Sequence, residues 1–130
     1  MQWIEEDAFS VTKLRDVKLP DKLTYVSNFC FEECPELKSV SLGANITHLG
    51  NRAFARCKKL QFVDLNEGLL SIGEYAFDEC SALDTLYIPP SVVSIHPKAF
   101  RDCKKLVIQC EEESFAHTYA QTYQHNYQLV

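Results

Sequence analysis

Hydrophobic positions recur along this chain with a period of 23 residues. Three complete units begin with cysteine, at residues 34–56, 57–79 and 80–102, and an earlier unit without the cysteine occupies residues 11–33. A fifth unit begins at Cys103 and breaks off. Periods of roughly 20–50 residues are typical of solenoids, in which each unit forms one coil and stacks on the next. The pattern therefore predicts a repeat protein.

Each unit carries the same order of apolar and polar positions. Positions four, seven and nine are apolar, while positions six and eight vary, which is the alternation of a half-buried strand. Turn-forming residues follow at position ten, and positions thirteen and sixteen are again apolar. The unit closes with a short segment predicted to form one turn of α or 3₁₀ helix. Its buried residues are predicted to be Phe31, Phe54, Phe77 and Phe100.

Residues 1–10 contain Trp3, Ile4, Ala8 and Phe9, an apolar pattern compatible with a short helix. The pair Ala8-Phe9 resembles the Ala-Phe that closes later units but lies one residue out of register. We interpret this stretch as a degenerate unit that covers the first coil, because an uncovered solenoid end exposes apolar core.

The last part of the chain, residues 103–130, is predicted to be a partial unit followed by a C-terminal cap. Ile108 and Cys110 continue the inward alternation, and Ser114 is a plausible N-cap for a helix. A last short strand is predicted near residues 127–130. The predicted apolar stripe of the helix comprises Phe115, Ala116, Tyr119, Ala120 and Tyr123.

Composition narrows the class of protein. The 130 residues are 46% hydrophobic and 24% charged, and the formal net charge is −5. Such a chain is globular, has the size of one domain, and lacks the basic surface that nucleic-acid binding needs. No apolar run approaches the roughly 20 residues of a membrane span. The acidic N-terminus does not match a signal peptide, so the cellular compartment stays open.

Three segments resemble the BspA-like leucine-rich repeat: LKSVSLGANITHLGNRAFARC, LQFVDLNEGLLSIGEYAFDEC and LDTLYIPPSVVSIHPKAFRDC. The closing ESFAHTYAQTYQHNYQLV is similar to the helix-and-strand ending of such arrays. The resemblance covers roughly residues 11–130. It departs at position seventeen, where Ser27 and His96 replace glycine, and at position one of the first unit, which is Val11.

This resemblance implies an α/β solenoid, a right-handed leucine-rich-repeat coil of parallel strands. It would have about four to five rungs, short helical turns and a C-terminal helical cap. We expect a single domain over residues 1–130. The resemblance also implies a cell-surface or secreted adhesion protein, without enzymatic activity, that binds proteins or host surfaces.

Four of the six cysteines share position one: Cys34, Cys57, Cys80 and Cys103. Stacked coils would space them about 4.8 Å apart in a line, which is not the tetrahedral arrangement that zinc requires. Parallel side chains in register point the same way, so disulfides between rungs are the less favoured alternative. We expect buried structural thiols, which suit a reducing or anaerobic setting. No metal or cofactor is predicted.

Nothing in the sequence favours catalysis. The chain has no G-x-S-x-G, no phosphate-binding glycine loop and no H-E-x-x-H. The histidines are expected at the surface, and no carboxylate or cysteine is expected on the faces of His48 and His96.

The outward positions six and eight of the first strand vary while the core positions are constant. We predict a partner-binding surface there for a protein or a surface glycan. It comprises Asp16, Lys18, Ser39, Ser41, Phe62, Asp64, Thr85 and Tyr87.

Phe62 and Tyr87 are the favoured contacts, because exposed aromatics on one sheet are typical binding hot spots. Two alternatives stay open. The two rings could form a cross-strand contact that only stabilises the sheet. The whole chain could also be a structural spacer within a larger protein, with no ligand of its own.

Overall fold

The computed structural model describes residues 8–10 and 12–130, together with the backbone of Trp3–Ile4. The chain winds into a parallel-strand solenoid of about five turns, with one short helix, α1 (Phe115–Thr122), near the C-terminus. The strands, in chain order, are β1 (Trp3–Ile4), β2 (Asp16–Lys18), β3 (Tyr25–Val26), β4 (Ser39–Ser41), β5 (His48–Leu49), β6 (Phe62–Asp64), β7 (Ser71–Ile72), β8 (Thr85–Tyr87), β9 (Ser94–Ile95), β10 (Val107–Cys110) and β11 (Asn126–Leu129).

The strands form two ladders along the solenoid. The second strands of the coils make one five-stranded sheet in the order β1-β3-β5-β7-β9. The first strands make two three-stranded sheets, β2-β4-β6 and β8-β10-β11. Every pair is parallel, and partners in complete coils are one repeat apart, as in Val17 with Val40 and Val40 with Val63. The 23-residue period of the sequence is therefore the length of one coil.

The start of the chain differs from its prediction. Trp3–Ile4 is a strand that pairs with β3, so the predicted short helix is wrong at these two residues. Phe9 stacks on Phe31 with ring centroids 5.2 Å apart. The one-residue offset seen in the sequence therefore does not prevent Phe9 from joining the ring stack. Residues 1–2, 5–7 and 11 lie outside the described residues, so the cap assigned to residues 1–10 stays a prediction.

The closing segments are chains of tight turns, and the prediction of one α or 3₁₀ turn is wrong for them. In the second coil Ala53 N–H donates to Gly50 O within the turn at 3.3 Å, while Phe54 N–H donates to Ala76 O of the next coil at 2.8 Å. Arg52 and Arg56 have φ values of 56° and 61°, in the left-handed region. Such residues turn alternate N–H groups toward the neighbouring coil, which a helical turn cannot do.

The core consists of the predicted columns, except that in the first coil Leu14 is 36% exposed and Val17 is only half-buried. The ring stack Phe9, Phe31, Phe54, Phe77 and Phe100 has centroid distances of 5.2–5.4 Å and interplanar angles of 5–11°. Stacking this regular binds each coil to the next through identical contacts. The last ring is covered edge-on by Tyr119 at 6.3 Å.

Helix α1 and β11 confirm the predicted ending. Ser114 is the N-cap, and its Oγ accepts a hydrogen bond from His117 N–H at 3.2 Å. Ala116, Tyr119 and Ala120 are buried, whereas the outer members of the predicted stripe, Phe115 and Tyr123, remain exposed. No helix in the described part of the chain has the length and apolar character to cross a membrane.

Candidate functional site

We call the outward side chains at positions six and eight of β2, β4, β6 and β8 the strand face. They project outward because the residue between them in each strand, such as Val40 or Leu86, is buried in the core. The structure brings these eight predicted site residues to one side of the solenoid: Asp16, Lys18, Ser39, Ser41, Phe62, Asp64, Thr85 and Tyr87.

Seven of the eight line a shallow groove of about 440 Å³ along the first strands. Its floor is apolar and consists of Val17, Val40 and Val63. Tyr87 is the residue that does not line the groove. The groove, which runs from the first coil to Thr85 of the fourth, is therefore an open trough with polar walls, without the depth that encloses a small ligand.

Phe62 is the large apolar side chain that the strand face exposes to solvent, with 55% of its surface accessible. Its register partner on β4 is the small residue Ser39, which leaves the ring free above the groove. Among the described residues no ring contact joins Phe62 to Tyr87, so a cross-strand aromatic pair does not account for this exposure. The ring is therefore an exposed apolar group on an otherwise polar strand surface.

Tyr87 differs from its prediction because it is half-buried. Its hydroxyl donates to a carboxylate oxygen of Glu111 at 3.4 Å. Burial, followed by the negative charge of Glu111, raises the pKa of Tyr87 above its ordinary value of 10.0. The side chain is thus a neutral hydrogen-bond donor held by its own chain and contributes less free surface than Phe62.

The polar groups of the strand face are partly paired with one another. Ser39 Oγ donates to Asp16 Oδ1 at 2.6 Å across adjacent strands, and Ser41 Oγ lies 3.5 Å from Asp64 Oδ2. Lys18 has no ion pair among the described residues. The groove therefore offers one free cation and two carboxylates, each already close to a hydroxyl.

The strand face is interrupted between β6 and β8. At the other junctions, backbone hydrogen bonds join the first strand of one coil to that of the next. Examples are Gln61 N–H to Lys38 O at 2.9 Å and Val107 N–H to Asp84 O at 3.0 Å. Between the third and fourth coils no described backbone bond links the first strands, although they lie side by side. The sequence gives no signal of this break, since positions four, seven and nine are apolar in both coils.

The cysteine column forms a ladder of sulfur hydrogen bonds. Each thiol lies about 3 Å from the carbonyl oxygen of a phenylalanine 25 or 26 residues earlier in the chain, as Cys57 Sγ from Phe31 O at 3.1 Å and Cys80 Sγ from Phe54 O at 3.0 Å. All six cysteines are free thiols, and only Cys103 is not fully buried. The predicted burial is confirmed for the other three of the column, and the hydrogen bonds explain why cysteine recurs at this position.

Three thiols of the column, Cys57, Cys80 and Cys103, are unsuited to nucleophilic chemistry. Burial raises the pKa of Cys80 well above its ordinary value of 9.0, and it raises that of Cys103 to about 12. The hydrogen bond with Cys34, followed by burial, raises the pKa of Cys57. Thiolates, the reactive form, are therefore scarce at neutral pH.

The histidines do not assemble a site with these thiols. His96 Nε2 lies 3.5 Å from Glu74 Oε2, so the expectation that no carboxylate shares its face is wrong. His125 is half-buried against Tyr119, and burial lowers its pKa below 6.5. No group of three potential metal ligands (His, Cys, Asp or Glu) lies together in the described ranges.

One charged cluster was not predicted. Asp78 is buried and accepts two hydrogen bonds from Arg101, at 2.8 and 2.9 Å, across adjacent closing segments. Arg101 and Arg52 both lie over the ring of Tyr75, at 4.8 and 4.7 Å from its centroid. Because Arg101 binds both oxygens of Asp78 and both guanidinium groups lie over Tyr75, the cluster holds three coils together.

The repeat matches a known family. The BspA type leucine rich repeat region matches residues 1–123 in six copies. The chain belongs to the BspA-type leucine-rich repeat family. No curated protein matches this leucine-rich repeat chain.

Solved structures share the fold. A leucine rich cell surface protein from Faecalibacterium prausnitzii matches with a TM-score of 0.77 and 21% identity over 91% of this chain and 32% of that one. The T. pallidum leucine rich repeat protein TpLRR matches with a TM-score of 0.59 and 27% identity over 76% of this chain and 60% of that one.

The pneumococcal vaccine antigen PcpA matches with a TM-score of 0.64 and 15% identity, over 91% of this chain and 42% of that protein. This leucine-rich repeat chain therefore spans between about a third and three fifths of the length of these three structures. What this chain shares with these structures is the fold of the repeated coil.

Proposed function

We propose that this leucine-rich repeat protein is a non-catalytic protein-recognition module that presents the strand face to a protein partner. The observation that carries the proposal is Phe62, more than half exposed on the lining of a groove with an apolar floor and polar walls. Aromatic residues bordered by polar groups are enriched at protein interfaces and among their hot spots.

The shape of the groove favours a macromolecule over a small ligand. Small-molecule sites are enclosed and bury most of their ligand, whereas this groove is an open trough across β2, β4 and β6 that reaches Thr85 of β8. A protein segment lying along it would cover Phe62 and reach Lys18, Asp64 and Thr85 together. Tyr87 is a weaker contact, because its hydroxyl is already engaged by Glu111.

Adhesion at a cell or host surface is the setting we propose for this recognition. The F. prausnitzii relative is named a cell surface protein and PcpA a vaccine antigen, which describes those proteins. The raised pKa values of the Cys80 and Cys103 thiols support a role without thiol chemistry.

A photoreactive amino acid placed at position 62 tests this site, with the same residue at position 93 as the matched control. Val93 is also exposed but lies just before β9, on the other sheet. On candidate host or bacterial surfaces, we expect one saturable crosslink from position 62 and none from position 93. Equal labelling from both positions would contradict the proposal and favour a spacer without a ligand.

The captured partner is then purified and its affinity measured by calorimetry. Phe62→Ser is expected to weaken binding at least about tenfold, since hot-spot truncations cost about 2 kcal/mol or more. Val93→Ser should leave the affinity unchanged. A partner that binds Phe62→Ser as tightly as the original protein does not use the strand face.

A further inference from the structure

A positively charged cleft of about 330 Å³ lies beside the strand face. It is formed by residues just before the first strands, at positions two, three and five of the repeat. Four cations and one carboxylate line it, a net charge of +3 in a chain whose formal net charge is −5. These charged residues are Arg15, Lys38, Lys58, Lys59 and Glu36.

Arg15 and Lys38 place two cations in register on neighbouring coils. Lys38 N–H donates to Arg15 O at 2.7 Å, so the two residues are adjacent across the coils. Both are exposed, and neither has an ion pair among the described residues. In the four complete units, no other position of the repeat carries lysine or arginine in consecutive units. Like charges opposite each other on neighbouring strands are destabilising, so this pair favours a bound anion.

The two lysines of the third coil have weak partners. Lys59 Nζ lies 3.3 Å from Glu36 Oε1, and Lys58 Nζ lies 3.2 Å from Glu79 Oε1. The side chains of Lys58 and Lys59 are 54% and 63% exposed, and ion pairs this exposed contribute little to stability. An incoming anion could therefore bind both ammonium groups at little cost.

The closing segments distribute their charges differently. Arg56 lies between two carboxylates of neighbouring coils, 2.6 Å from Glu33 and 3.8 Å from Glu79. Arg101 is bound by Asp78 of the preceding coil. Cations there alternate with anions along the solenoid, whereas the described residues of the cleft leave two neighbouring cations without a counter-charge.

The cleft adjoins the strand face through consecutive residues. Gln61, which lines the cleft, is followed directly by Phe62, and Lys38 is followed by Ser39. Consecutive Cα atoms are about 3.8 Å apart, so a segment that covers Phe62 can reach the cleft within one or two of its own residues. A single ligand could therefore contact both surfaces.

The surroundings of the cations favour a peptide over a sulfated glycan. Glu36 lies in the lining, and Asp16 directly follows Arg15. A densely sulfated chain would bring anions against both carboxylates, because its charges recur along its whole length. A peptide can place acidic side chains on the cations alone and an apolar side chain on Phe62.

We infer that the cleft binds an acidic segment of the protein partner, an inference that rests on the proposed function. Arg15 holds one carboxylate through two hydrogen bonds, the geometry that a guanidinium group provides. Lys38 and Lys58 attract further carboxylates as point charges. An apolar residue next to the acidic ones lies on Phe62. The site thus selects partners whose contact segment combines acidic and apolar side chains.

Fluorescence anisotropy with labelled octaglutamate and the full 130-residue chain, over about 1 µM to about 1 mM, tests the cleft. We expect saturable binding that weakens at about 1 M salt, where charges are screened. Neutral octaglutamine should bind at least about tenfold more weakly. No binding of octaglutamate would overturn the inference. Binding of heparin without binding of octaglutamate would overturn it in favour of a sulfated glycan.

Charge reversal locates the site. Lys38→Glu is expected to weaken octaglutamate binding at least about tenfold. Lys98→Glu is the matched control, because Lys98 is an exposed lysine of the closing side and its reversal changes the net charge equally. This control should bind like the original protein. An equal loss in both variants would show that net charge alone governs binding and would overturn the inference.

Glu36→Gln gives a gain that misfolding cannot imitate. Removing the one carboxylate of the lining should strengthen octaglutamate binding about threefold or more, since a repulsive charge is lost. An unchanged or weaker affinity would contradict binding in the cleft. Circular dichroism confirms that each variant is folded.

Phe62→Ser separates this inference from the proposed function. Octaglutamate has no apolar side chain, so this variant should bind it as tightly as the original protein. If the partner captured at position 62 binds Lys38→Glu with unchanged affinity, the acidic-segment inference is wrong and the strand face remains the site. If octaglutamate binding requires Lys38 but position 62 captures nothing, the cleft remains an acidic-peptide site and the proposed function is wrong.

Discussion

The closing segments and the strand face come from the same repeats but are built by opposite rules. On the closing side, five phenylalanine rings stack with centroid distances that differ by only 0.2 Å, and the cysteines repeat the same sulfur contact in successive coils. On the strand face every rung differs, and the ladder is interrupted between β6 and β8. Uniform contacts provide stability in a repeat protein, and variable positions are therefore available for recognition.

Removing one ring from the stack should give the largest effect. Phe77 lies between Phe54 and Phe100 and is fully buried, so Phe77→Ala is expected to lower the free energy of unfolding by about 3–5 kcal/mol. Phe62→Ser, on the strand face, is expected to change it by less than about 0.5 kcal/mol. Urea unfolding followed by circular dichroism compares them. Equal losses would remove the distinction between the two sides.

The buried carboxylate on the closing side comes next. Asp78→Asn removes the charge that binds Arg101 through two hydrogen bonds, and we expect a loss of about 1–3 kcal/mol. The matched control is Asp64→Asn on the strand face, where the carboxylate is exposed and its serine contact is 3.5 Å long. The same urea series should show almost no change for this control. A stable Asp78→Asn variant would mean that the ring stack alone holds these coils.

The cysteine ladder should make stability fall in alkali. The pKa of Cys103 is raised by burial from 9.0 to about 12, so this thiol stabilises the folded state fully below pH 9. The contribution declines as the pH rises through 9 toward 12, because the unfolded chain then loses the proton more readily. The urea midpoint of the original protein should decline more steeply over this range than that of Cys103→Ser. Parallel slopes would exclude the thiol as the cause.

The smallest effect concerns the break in the strand face. We expect the N–H groups of Asp84 and Thr85 to exchange with deuterium at least about tenfold faster than those of Gln61 and Phe62, whose bonds to Lys38 O are intact. Hydrogen–deuterium exchange read by NMR compares the two pairs directly. Similar protection would show that the first-strand ladder is as continuous in solution as the five-stranded sheet.

The sequence by itself determined the length and stacking of the coil. Apolar residues that recur every 23 positions form continuous core columns only when each coil contains 23 residues and stacks in register on the next. The burial of Phe54 and Leu60 and the outward direction of Phe62 follow from the 23-residue period, and α1 follows from its own apolar stripe at helical spacing. These are local or nearest-neighbour properties, in which each residue is compared with the same position of the next unit.

Only the tertiary structure decided the features that depend on how coils meet. The left-handed residues Arg52 and Arg56 serve hydrogen bonds to the next coil, and the pairing of Asp78 with Arg101 joins positions that no motif connects. The same holds for the break beside Phe62 and for the partial burial of Tyr87 by Glu111. A repeat pattern specifies which side of a coil is buried, whereas the spacing and partners of its outward groups depend on the neighbouring coil's own side chains.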